Sequence, residues 1–65
     1  MNIIINGENK EFKSKITLLE LLKELDLSDK PIVVELNKEI IIKEKYNKEL
    51  FSGDNLEIVT FVGGG

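Results

Sequence analysis

Ile16-Thr17-Leu18-Leu19-Glu20-Leu21-Leu22-Lys23-Glu24-Leu25 carries the strongest local instruction in this sequence. Thr17 and Glu20 form a capping box. The threonine hydroxyl can accept from the N–H three residues on, and the glutamate can reach back to the threonine's own N–H. Ile16 before the cap and Leu21 at the fourth helical position are placed as a hydrophobic staple. The spacing predicts a helix starting at Leu18. Leu18, Leu21, Leu22 and Leu25 then recur at i, i+3, i+4 and i+7 as one apolar stripe, with Glu20, Lys23 and Glu24 opposite. Such a stripe must be buried. The run from Asp26 to Pro31 ends the helix, because proline has no N–H to donate and pushes Lys30 out of the helical region.

Working outward from the helix, the flanking segments read as strands, so the stripe is expected to lie on a sheet. Met1 to Asn6 contains three consecutive β-branched isoleucines, and Asn6-Gly7 supplies the positive φ of a tight hairpin turn. Lys10 to Ser14 reads as the return strand, with Phe12 as its single large apolar side chain. Beyond the helix, Ile32 to Leu36 and Ile40 to Ile42 read as a second hairpin, with Asn37-Lys38-Glu39 as its turn and Asn37 suited to a left-handed conformation. Lys43 to Leu50 predicts a short helical or 3₁₀ connection pinned by Tyr46 and Leu50. After the turn cluster Ser52-Gly53-Asp54-Asn55, Leu56 to Val62 is a last strand with apolar residues on both faces, which suits the middle of a sheet. The expected fold is α+β: a five-stranded mixed sheet with one main helix on one face and a short helical connection, the β-grasp or ubiquitin-like arrangement. A right-handed crossover is expected to join the strands before and after the helix. We read residues 1–62 as the domain and 63–65 as a flexible glycine tail.

Composition narrows the chemistry. The 65 residues leave room for one small domain, and 42% hydrophobic content is enough for it to fold. The absence of cysteine and histidine removes thiolates, disulfides, imidazole bases and zinc sites of the usual kind. Nine lysines, no arginine and a net charge of −3 argue against a nucleic-acid partner. No apolar run reaches the roughly 18 residues of a membrane span, and the start lacks the pattern of a signal peptide, so we expect a cytoplasmic protein with no membrane partner. The serines and threonines have no imidazole to activate them. The carboxylates alternate with lysines as on a solvated surface. Ser52-Gly53-Asp54-Asn55 lacks the ordered oxygen ligands of a calcium loop, and no helix follows Gly63-Gly64-Gly65 to cradle a phosphate.

What remains is the tail. Three glycines at a terminus can be a frayed end or an expression remnant. They can also thread, extended, through a channel too narrow for side chains and deliver the α-carboxylate of Gly65 to a partner's active site. That carboxylate, with a pKa of about 3.3–3.7, is ionised at neutral pH and able to attack the α-phosphate of ATP.

From Asn6-Gly7, through Thr17 to Leu22 and Val34 to Ile40, to the closing Gly53-Asp54-Asn55-Leu56-Glu57-Ile58-Val59-Thr60-Phe61-Val62-Gly63-Gly64-Gly65, the whole chain resembles the small sulfur carriers of thiamine biosynthesis, the ThiS family. The resemblance implies a cycle on Gly65. An adenylyltransferase of the ubiquitin-activating type adenylates the carboxylate, a persulfide sulfur donor displaces AMP, and the resulting thiocarboxylate gives its sulfur to thiazole synthase. On this reading the chain is a co-substrate and not an enzyme. It binds no cofactor or metal, and ATP is held by the activating partner. Gly64 and Gly65 match the family's diglycine, Gly63 an extra glycine in many members, and Phe61 and Val62 the apolar lead-in. Lys38 departs from the glycine often found after asparagine in the second hairpin, and Lys43 stands where proline or arginine is common.

A partner surface is also implied: Val59, Phe61, Val62, Gly63 and Gly64 are its candidates. If Leu56 and Ile58 face the helix, alternation puts Glu57, Val59 and Phe61 on the open side of the sheet. A one-residue slip would make Val59 and Phe61 core instead. Other functions share this fold: the small subunit of molybdopterin synthase, a covalent modifier joined to lysines, and a non-covalent β-grasp interaction module with an inert tail.

Overall fold

The computed structural model describes residues 1–61. The elements run β1 (Asn2–Ile5), β2 (Glu8–Glu11), α1 (Leu18–Glu24), β3 (Ile32–Leu36), β4 (Glu39–Ile41), a 3₁₀ turn (Lys43–Lys45) and β5 (Asn55–Thr60). The strands form one mixed sheet in the order β2-β1-β5-β3-β4, with β1 and β5 parallel and the other neighbours antiparallel. The last strand is therefore central, as its two-sided apolar pattern required. Its inward residues Leu56 and Ile58 join Ile3, Ile5, Val34 and Leu36 from the sheet and Leu18, Leu21 and Leu22 from α1 in one buried cluster. That cluster places the helix on one face of the β-grasp sheet.

The helix begins as its sequence dictates. Thr17 Oγ1 accepts from the Glu20 N–H at 3.1 Å, and Glu20 Oε1 accepts from the Thr17 N–H at 2.8 Å. The first helical residues, Leu18 and Leu19, donate to the carbonyls of Lys48 and Tyr46. The first-turn N–H groups, which have no partner within a helix, are thus all occupied. At the other end Asp26 takes φ 63°, the Asp26 N–H donates to the Lys23 carbonyl, and that of Leu27 to Leu22. This is a Schellman stop with aspartate where glycine is usual.

Four expectations shift. β2 runs from Glu8 to Glu11, not from Lys10 to Ser14, because the two-residue turn at Asn6 (φ 49°) and Gly7 (φ 84°) forces Ile5 opposite Glu8. All four of its residues are exposed, and a charged edge strand of this kind resists pairing with other chains. Phe12, half-buried, lies just beyond β2, where it exchanges backbone hydrogen bonds with Met1. β4 starts one residue early, since Asn37 (φ 50°) and Lys38 (φ 73°) alone make the second turn. Lys38 adopts the left-handed form without being glycine, at a steric cost of about 1–2 kcal/mol. Tyr46 and Leu50 are buried, but the 3₁₀ turn stops at Lys45 and both are held by the strand-like pairing of residues 46–50 with residues 16–19. β5 begins at Asn55 and ends at Thr60, shorter at its far end than the expected Leu56 to Val62.

Candidate functional site

β5 is held on both sides by the asparagines of the two hairpin turns. Asn6 Nδ2 donates to the Ile58 carbonyl at 3.2 Å, and Asn6 Oδ1 accepts from the Ile58 N–H at 2.8 Å. On the other flank Asn37 Oδ1 accepts from the Asn55 N–H at 2.9 Å, while the Asn37 N–H donates to the Asn55 carbonyl. Asp54 completes this end: its carboxylate accepts from Asn37 Nδ2 and from the Phe51 N–H. A left-handed asparagine at a tight turn points its carboxamide at neighbouring backbone, and here both carboxamides reach the same strand. β5 is thereby fixed in register along the segment that leads to the tail.

The register decides the question that alternation left open. Val34 pairs with Ile58, Val33 with Val59 and Glu35 with Glu57 across β3 and β5. Since Leu56 and Ile58 are buried, Glu57 and Val59 project from the open face, where Val59 is 57% exposed. Phe61, two residues further, is 59% exposed, and its N–H donates to the Pro31 carbonyl, which holds the end of the described chain against the start of β3. Ile40 pairs opposite Glu35 and is 66% exposed, and Ile42 two residues on is 55% exposed. Together with half-buried Val33 these side chains form an apolar area beside the place where the chain leaves the sheet. An exposed apolar group of this size on so small a domain is the kind of surface suited to association. Of the predicted partner-binding residues, Val59 and Phe61 lie on it. Val62, Gly63, Gly64 and Gly65, the last expected to be the reactive residue, lie outside the described residues. Sequence reasoning did not include Ile40, Ile42 and Val33. Three consecutive isoleucines at 40–42 on a strand cannot all face the core, which was the available clue.

The described residues contain little catalytic chemistry. The Thr17 hydroxyl is committed to its cap and the Ser52 hydroxyl accepts from the Asn2 N–H at 3.3 Å. Among them, no group of three acidic, histidine or cysteine side chains is placed to hold a metal ion. A cavity of about 220 Å³ lies away from β5, lined by Lys13, Lys15, Ile16, Glu20 and Glu24. Burial pushes the Tyr46 phenol above the ordinary tyrosine range, so it stays protonated at neutral pH. No helix among the described residues is long and apolar enough to cross a membrane.

The described residues form a small β-grasp domain with an apolar open face on its central strand, and the sequence that follows closes in three glycines. The chain is similar to proteins of thiamine biosynthesis. The ThiS family model matches residues 3–65. The sulfur carrier protein ThiS of Bacillus subtilis is 46% identical over 63 residues, covering 94% of this chain and 96% of that protein. A thiazole synthase of Paramagnetospirillum magneticum is 42% identical over 66 residues, covering 100% of this chain but only 20% of that protein. The crystal structure of the thiamine biosynthesis protein ThiS from Geobacter metallireducens superposes with a TM-score of 0.84 at 30% identity, covering 100% of both chains. The chain belongs to the ThiS family, the small sulfur carriers of thiamine biosynthesis.

Proposed function

We propose that Gly65 is the working group of this chain and that the folded domain serves to present it. In the first step the Gly65 carboxylate attacks the α-phosphate of ATP within an adenylyltransferase of the ubiquitin-activating type, and pyrophosphate leaves. The terminal sulfur of a persulfide donor then displaces AMP from the acyl-adenylate to give an acyl disulfide, and a thiol that attacks the donor's sulfur cleaves the S–S bond carried over from the persulfide, leaving a thiocarboxylate and a disulfide. Thiazole synthase receives that sulfur, and the carboxylate is restored for another turn. The chain is thus a co-substrate, with ATP and any metal held by the activating partner in the cytoplasm.

Membership of the ThiS family carries this reading. The thiazole synthase of Paramagnetospirillum magneticum supports the choice of acceptor, since one polypeptide of that name contains a segment like this whole chain. The open face around Val59 and Phe61 is suited to dock the activating enzyme while residues 62–65 enter its active site, because exposed aromatic and branched side chains supply apolar burial on association. Incubation with a cognate activating enzyme, ATP and a persulfide source, followed by intact-mass analysis, tests the cycle. Exchange of one oxygen for sulfur confined to Gly65 is expected. An unchanged mass, or exchange that persists after removal of Gly64 and Gly65, would overturn it.

A further inference from the structure

The turn at Asn6-Gly7 has a chemical property beyond its geometry. Asparagine occurs at positions 2, 6, 9, 37, 47 and 55, and only Asn6 precedes a glycine. Glycine leaves its own backbone nitrogen unshielded by any Cβ, so that nitrogen can approach the carboxamide carbon of the residue before it. Asn6 lies exposed at a left-handed turn, open to water. Its carboxamide, however, is occupied on both sides by the Ile58 backbone, at 3.2 and 2.8 Å.

We propose that Asn6 is a self-modification site, a deamidation site that the Ile58 contact keeps closed. The Gly7 nitrogen attacks Asn6 Cγ and gives up its proton, and Nδ2 leaves as ammonia. Water then opens the resulting succinimide at either carbonyl, giving aspartate or isoaspartate. No electrons are exchanged and only water is consumed. Ring closure requires the carboxamide to turn away from β5, which breaks both hydrogen bonds. Reaction therefore proceeds from the opened turn, and its rate follows the population of that opening.

Neither product can restore the contact. Aspartate places a carboxylate oxygen where Nδ2 now donates, facing the Ile58 carbonyl. Isoaspartate lengthens the backbone of a two-residue turn whose strands sit in fixed register. The modification is thus a permanent record of a chain whose first hairpin has come off its central strand. Asn37 is the internal control: it takes the same left-handed position and its Oδ1 accepts from the Asn55 N–H of β5, but its Nδ2 donates to the Asp54 carboxylate and Lys38 follows it.

The test follows the intact chain in mildly alkaline buffer, with and without urea, by peptide mass spectrometry. In urea Asn6 is expected to convert ahead of the other five asparagines. In native buffer its conversion should slow by about tenfold or more, since two hydrogen bonds must first open. The Asn6→Asp variant should unfold at a lower urea midpoint, and its failure to fold would count the same way. Equal rates folded and unfolded, another asparagine converting first in urea, or an Asn6→Asp variant as stable as the parent would each overturn the inference.

Discussion

Leu56 and Ile58 on β5 are sealed against the helix, while Glu57 and Val59, their immediate neighbours, stand in water. The two sets share a backbone, a register and the same flanking strands, and differ only in the side of the pleat from which they project. One face is apolar because a small domain has few residues to spare for its core. The other is apolar around Val59 and Phe61 although folding gains little there, and it sets Glu35 directly opposite Glu57, a like-charge pair that disfavours the sheet. A face that carries such a pair has been shaped by something other than stability. On β5, the sealed core and the exposed apolar face are separated by a single residue of alternation.

Leu56→Ala breaks the comparison most severely. Removing a fully buried leucine costs about 2–5 kcal/mol, comparable with the entire stability of a domain this small. A urea titration should show the variant largely unfolded at 25 °C. On the open face Phe61→Ala should behave in the opposite way. Its unfolding free energy should change by no more than about 0.5 kcal/mol, while the concentration needed to saturate the activating enzyme rises about tenfold. Equal adenylation kinetics for parent and variant would remove Phe61 from the docking surface. Glu57→Gln sharpens the contrast with the smallest effect. Relieving the repulsion with Glu35 should stabilise the fold by roughly 0.2–1 kcal/mol, and the gain should shrink as salt screens the charges. No gain at low salt would mean that the open face carries no such tension.

The parts legible in the sequence were those written in local chemistry. Thr17 and Glu20 announce the helix start because a capping box is satisfied within four residues, and Asn6-Gly7 announces its turn because few other pairs accept two positive φ values. The central place of β5 followed from its two-sided apolar pattern. The parts that stayed hidden depend on partners distant in sequence. Nothing near Asp26 signals a left-handed helix stop, and Lys38 gives no hint of φ 73°. Both are imposed by the packing on either side. Which face of β5 carries Val59 and Phe61 turned on pairing with β3, since a period of two fits either assignment. The reach of Asn6 and Asn37 to β5 spans 52 and 18 residues respectively, beyond any window of local pattern.

The parallel run of β1 and β5 sets the poles of the molecule. Ile4 lies beside Asn55, so Met1 and Phe61 diverge from that point in opposite directions and end roughly 30 Å apart along the strands. A bead, dye or surface tether fixed ahead of residue 1 would therefore sit at the far pole from the exit of β5. Immobilised in that orientation, the domain would stand on its blunt end with its outgoing strand directed into solution, a ready format for capturing whatever grips the other pole.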